Sequence, residues 1–245
     1  MLKPYLPSLP DSRETWALLL LPVVIAITLL AFDRFGVEHR FWDMFGQTLQ
    51  QQGTDNQQFR LLAQAWLTLS TIGLWVIVPV LYFRLLVPDW RDWGLGASLA
   101  HWPVYLLLTA IMLPVVAVAA TQPAFNTFYP LYKPPTITLW MTFEVWYLLQ
   151  FFCVEFFFRG PILLFLGRKF DGWAVGIMVV PYALIHIYKP FPEAVGSIIA
   201  GYVLGWLALR TRSIWPGVFV HCSVALAMDT LALWQTGRLA QLLAG

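Results

Sequence analysis

Leu148-Leu-Gln-Phe-Phe-Cys-Val-Glu155-Phe-Phe-Phe-Arg159-Gly-Pro161-Ile-Leu-Leu-Phe-Leu166 is the centre of an apolar run that begins near residue 136. About thirty residues rising ~1.5 Å each exceed the ~30 Å hydrocarbon core of a bilayer. The run lacks period-2 alternation, and in lipid only helices or closed barrels satisfy the backbone, so it reads as a membrane helix. A helix this long must tilt or break. Pro161, which removes a helix donor, offers the break. Placing Glu144, Glu155 and Arg159 inside it costs at least ~2.5–3.5 kcal/mol apiece on insertion scales, so these groups need partners.

Outward from this run the chain repeats the pattern. Of 245 residues, 59% are hydrophobic and 11% charged, against about a quarter charged in a soluble domain. Apolar spans read at roughly 15–32, 61–87, 101–120, 136–166, 172–188, 194–209 and 214–234. The fold class is therefore all-α, a polytopic membrane bundle of about seven spans, with an eighth short helix if the fourth breaks. Residues 33–60, with Gln-Gln-Gln-Gly-Thr-Asp-Asn-Gln-Gln at their centre, read as the one substantial loop. Trp90-Arg-Asp-Trp93 suits a headgroup-level segment. The first run ends in Asp33-Arg34-Phe35 rather than a small-residue cleavage site, so it reads as a retained span. Residues 1–135 form an N-terminal set of three spans and 136–245 the segment that carries the chemistry.

Charge places the molecule in the membrane. With the N-terminus inside, Lys3, Arg13, Arg84, Arg91, Arg168, Lys169, Arg210 and Arg212 face inward, and Arg34, Arg40, Arg60, Lys133, Lys189 and Arg238 outward. That bias favours a cytoplasmic N-terminus. The net charge of +2 comes without a basic cluster, which excludes a nucleic-acid partner. Cys153 and Cys222 lie in apolar helices and read as buried thiols, not a disulfide. Gly172-Trp-Ala-Val-Gly176 and Gly201-Tyr-Val-Leu-Gly205 let helices approach closely, as in many bundles. No internal repeat is present.

The intramembrane ionisable groups are Glu144, Glu155, Arg159, His186, His221 and Asp229, with Glu193 at the mouth of the sixth span. Glu155 and Arg159 are four apart and share a helix face. They read equally as an ion pair locking two helices and as a carboxylate held charged for work on a water. Glu144, about three turns earlier, reads as a structural contact. Asp229 orients a neighbour or joins two helices. His186 ends Pro181-Tyr-Ala-Leu-Ile-His186 and is followed by Lys189-Pro-Phe-Pro-Glu193, where two prolines break the helix. Glu193 caps the sixth span or takes part in catalysis. HExxH is absent and no two histidines share a helical turn, which lowers a zinc peptidase to a minority reading. GxSxG and GxGD are also absent. A glutamate that activates water, helped by histidine, needs only the residues present. No cofactor is implied.

Val154-Glu155-Phe-Phe-Phe-Arg159, Tyr182-Ala-Leu-Ile-His186 and His221-Cys-Ser-Val-Ala225, in that order, resemble the CPBP family of CAAX-protease and bacteriocin-processing membrane proteins, whose motifs are EExxxR, FxxxH and HxxxN. The resemblance covers roughly 136–235. It departs at Val154, where the family has the glutamate usually given the water-activating role, and at Ala225, where it has asparagine; Tyr182 replaces phenylalanine. The resemblance implies a metal-independent intramembrane endopeptidase of a bacterial inner membrane. In that reading Glu155 or Glu193 deprotonates water, His186 shares or delivers the proton, His221 stabilises the oxyanion and Arg159 fixes Glu155. The substrate is a membrane-associated protein or peptide; prenylation is not expected in a bacterium, so the family name does not identify it. The alternative is a catalytically degenerate, partner-binding or immunity-type protein, which Val154 and Ala225 favour. A transporter would spread charges through the early spans, whose centres carry none. A simple antiparallel count puts Glu155 and His221 towards the inner side and His186 towards the outer, so they meet only if span four tilts or span five breaks, for instance at Pro181.

Overall fold

A computed structural model describes residues 12–96 and 101–244; Lys3, counted above among the inner charges, lies outside them. The described residues build a bundle of α-helices, six of them long and apolar enough to cross a membrane. Helix α1 (Arg13–Ala31) starts where the Ser12 hydroxyl accepts the Thr15 N–H. It runs through a wide π-turn, Phe32–Gly36, and is followed by α2 (Glu38–Gln51). Segment 33–60 is therefore mostly helical rather than a loop. Phe41 and Trp42 on α2 pack on Phe59, so an apolar face closes against the next helix although the segment is polar on average.

Asp55 caps α3 (Asn56–Thr71) by accepting the Gln57 and Gln58 N–H groups at 2.8 Å. A second π-turn, Ile72–Ile77, joins it to α4 (Val78–Leu86). The two π-turns meet through Phe32 and Trp75, ring centroids 4.6 Å apart. After α5 (Trp102–Ala120) and a short α6 (Pro123–Phe128), α7 runs from Ile137 to Arg159. The break expected at Pro161 is present: α7 stops at Gly160, and Pro161 opens α8 (Pro161–Phe170), where its missing N–H is no loss. Gly94, at φ +73°, seats the 88–95 loop on this break; a side chain there would meet Ile214 and the Gly160 backbone. Trp90 of that loop is 2% exposed, stacked on Phe83 and covered by Arg168, so it packs into the protein core.

Helix α9 (Trp173–Leu184) continues through Pro181 and ends before His186. Its twelve residues span ~18 Å, little more than half a bilayer. Residues 185–190 turn the chain into α10 (Phe191–Thr211), and α11 (Trp215–Gln235) and α12 (Arg238–Leu243) complete it. With α9 this short, His186 comes beside Tyr182, which in turn reaches His221, so the two histidines lie in one neighbourhood.

The largest apolar cluster joins α1, α4, α7, α8 and α9 around Phe157, Phe158, Leu163 and Phe165, each 0% exposed. Helix α3 packs on α7 and α5 on α11. Two ends are distinguishable by charge. At one, Lys169 pairs with Glu14 at 3.1 Å and Arg212 pairs with Asp92. At the other, Gln57, Lys133 and Arg238 line one cavity of about 300 Å³.

Candidate active site

The break after Arg159 leaves Glu155 and Arg159 in the last turn of α7, both sealed from solvent, at 1% and 2% exposure. The Arg159 Nη1 lies 3.3 Å from Glu155 Oε1, an ion pair though not an aligned hydrogen bond. The guanidinium lies over the Tyr182 ring, 3.8 Å from its centroid. His221, seven residues into α11, sends Nδ1 to the same Glu155 oxygen at 2.8 Å. A carboxylate only accepts, so Nδ1 carries a proton, and in a neutral imidazole that leaves Nε2 a lone pair. That nitrogen is 3.2 Å from the Tyr182 hydroxyl. Glu155, His221 and Tyr182 thus form one hydrogen-bonded line across α7, α11 and α9. The other Glu155 oxygen packs against Gly217, where any side chain would overlap it.

His186 lies in the turn after α9. Its Nδ1 donates to the Tyr182 carbonyl at 2.9 Å, which leaves Nε2 free to take a proton. The charges near enough to act on it belong to His221, Lys189 and Arg159. Glu193, third residue of α10, makes no cap hydrogen bond. The Tyr129 hydroxyl donates to its two oxygens at 3.0 and 2.8 Å, and Lys189 Nζ stands 3.5 Å away. Lys189 also donates to the Tyr129 oxygen at 3.0 Å. Burial above all, then neighbouring Tyr147 and Glu193, hold the Tyr129 hydroxyl well above its ordinary pKa, so it stays a donor. The Glu193 side chain keeps a quarter of its surface open, whereas that of Glu155 keeps 1%.

The five residues singled out in the sequence therefore fall into two joined groups. Glu155, Arg159 and His221 form a buried cluster with Tyr182, which bridges to His186. Glu193 stands with Lys189 and Tyr129. Glu144 and Asp229 stand apart: their carboxyls meet each other, and Asp229 Oδ1 accepts the Leu131 N–H at 3.1 Å. Both are at least 95% buried, and both Glu144 oxygens and Asp229 Oδ2 lack a hydrogen-bond partner among the described residues. Among the described residues no three of His, Cys, Asp and Glu converge as a metal set. Cys153 and Cys222 are free thiols.

Three participants escaped the sequence reading. Tyr182 carried a signal, the hydroxyl added where the resembled motif has phenylalanine. Lys189 carried one too, four residues before Glu193. Tyr129 carried none, being 64 residues from the carboxylate it holds.

Residues 136–227 match the family model described as "Rce1-like: Type II CAAX prenyl endopeptidase Rce1-like". The similarity to the CAAX-protease family noted from the three motifs stands for that region, just over a third of the chain. By that description the matched family is one of endopeptidases. No curated protein and no solved structure matches the chain.

Proposed function

We propose that this multi-pass membrane protein is a metal-independent intramembrane endopeptidase, hydrolysing a membrane-associated protein or peptide with water activated by glutamate and histidine. The observation that carries the proposal is the line from Glu155 through His221 to Tyr182, with His186 beside it, inside a helical bundle. Polar groups from three helices and the turn after α9 are matched to one another where lipid would penalise each alone. A carboxylate that orients a histidine, itself aimed at a third group, is the arrangement used in acyl transfer.

Of the two carboxylates, Glu193 suits the base. Its side chain is a quarter exposed, and the Tyr129 hydroxyl donates to it with Lys189 Nζ 3.5 Å away. Glu155 is fully engaged by Arg159 and His221 and suits the orienting role. Glu193 takes the proton from water and His186 Nε2 carries it to the leaving amine, while His221 is placed to stabilise the oxyanion. We place the protein in a bacterial inner membrane with a cytoplasmic N-terminus, and we read 136–245 as the catalytic segment and 1–135 as the supporting spans.

One observation favours the other reading, a partner-binding or immunity-type relative without peptidase activity. Val154 and Ala225, where the resembled motifs carry glutamate and asparagine, are packed into apolar clusters. The deciding experiment is cleavage of membrane peptides in liposomes by the native chain, Glu155→Gln, Glu193→Gln and His186→Gln, with and without chelator. Loss of cleavage in a folded Glu193→Gln, with the native enzyme indifferent to chelator, is the expected result. Cleavage abolished by chelator would move the water onto a metal. No cleavage by any form across a broad peptide set would favour the partner-binding reading.

A further inference from the structure

Tyr182 touches more of the cluster than any other residue, and the peptidase reading leaves its hydroxyl without a task. The residue is 2% exposed. Phe158 meets the ring edge-on at 5.3 Å, and the Arg159 guanidinium covers it at 3.8 Å. Gly201 of α10 lies so close that a Cβ there would come within 3.0 Å of the ring. Held on these sides, the ring has little freedom to turn, and its hydroxyl is fixed 3.2 Å from His221 Nε2. Glu155 holds the opposite edge of the same imidazole.

A neutral histidine between a carboxylate and a hydroxyl has one consistent arrangement of protons: Nδ1–H to Glu155, and Nε2 accepting from Tyr182. Without the hydroxyl, Nε2 has no fixed donor and the ring loses the contact that opposes rotation about its side-chain bonds. The Tyr182 carbonyl imposes the same tautomer on His186.

We propose that Tyr182 is a positioning residue of this site: its hydroxyl fixes the tautomer and orientation of His221, on the line Glu155–His221–Tyr182, as its carbonyl does for His186. The consequence for turnover rests on the peptidase reading, whereas the hydrogen-bonded line belongs to the resting molecule and is testable without substrate.

The test compares the native chain with Tyr182→Phe, which keeps the ring, its packing and the carbonyl and removes one oxygen. With ¹⁵N-labelled histidine in detergent micelles, the four imidazoles, His39, His101, His186 and His221, are few enough to assign. Native His221 is expected to show a protonated Nδ1 and a hydrogen-bonded, unprotonated Nε2. In Tyr182→Phe that Nε2 resonance moves towards an unbonded lone pair, while His39 and His101 stay put and report an intact fold. On single-span fluorogenic peptides in liposomes the variant loses about tenfold in kcat with KM little changed. An unchanged His221 spectrum, or a native Nε2 that carries the proton, overturns the proposal, as does native turnover in Tyr182→Phe. If the native chain cleaves none of the peptides, the peptidase reading falls, and the nitrogen spectra still decide the role of Tyr182.

Discussion

Glu155 and Glu193 are carboxylates in adjoining groups, and their surroundings suit them to different work. Glu155 balances a buried guanidinium, so removing its charge strands Arg159. Glu155→Gln is expected to cost about 3–5 kcal/mol, the usual consequence of breaking a buried ion pair from one side, and to show first as a lower melting temperature in detergent by tryptophan fluorescence. Glu193→Gln still accepts from Tyr129 and relieves no buried charge, so it is expected to melt within about 1 kcal/mol of native and to lose about 10²-fold or more in kcat. Native turnover in Glu193→Gln would remove that residue from the chemistry. Gly217 tests how tightly Glu155 is held. A methyl there overlaps Glu155 Oε2, and the carboxylate is tied to Arg159 and His221. Gly217→Ala is expected to cost about 1–3 kcal/mol by overpacking and to break the His221 contact. A native melt for this variant would mean that Glu155 moves freely.

Between elements, the α9–α10 hairpin is closed by its two GxxxG motifs facing one another. Gly172 and Gly176 of the α9 segment lie against Trp206 and Tyr202 of α10, while Gly201 and Gly205 lie against Tyr182 and Val175 of α9. Gly201→Val therefore pushes on Tyr182 and, through it, on His221. It is expected to lower both melting temperature and turnover, while Gly196→Ala, with open space at its Cβ, leaves both unchanged. If Gly201→Val matches native, the hairpin does not position the site. The spacing of these glycines was legible in the sequence; that the motifs pair with each other was not, because spacing does not name a partner helix. The same limit explains the misread segments. In residues 33–60 the glutamines masked Phe41, Phe45 and Leu49, which share a face at helical spacing on α2. Pro181 was a plausible break, yet α9 carries it inside, and the stop comes at the turn before Pro190 and Pro192.

At the scale of the molecule, the order of the three motifs announced which helices meet, but not how the site is completed. Tyr129 reaches Glu193 from a segment that Asp229 of α11 holds by accepting the backbone N–H of Leu131. A contact between a loop before α7 and the first turn of α10 leaves no periodicity to read. Of the residues read as inward, Lys169 and Arg212 pair with Glu14 and Asp92 at one end, and of those read as outward, Lys133 and Arg238 line one cavity at the other. The ~30 Å membrane lies between them, which makes orientation a single binary question. In a Cys153→Ala, Cys222→Ala background, Asp89→Cys and Gln241→Cys each put one exposed thiol at one end. With the N-terminus inside, a membrane-impermeant maleimide added to intact cells is expected to label Gln241→Cys and to reach Asp89→Cys only after permeabilisation. The opposite pattern would invert the protein, and Glu193 and Tyr129 would then approach their substrate from the cytoplasmic half of the bilayer.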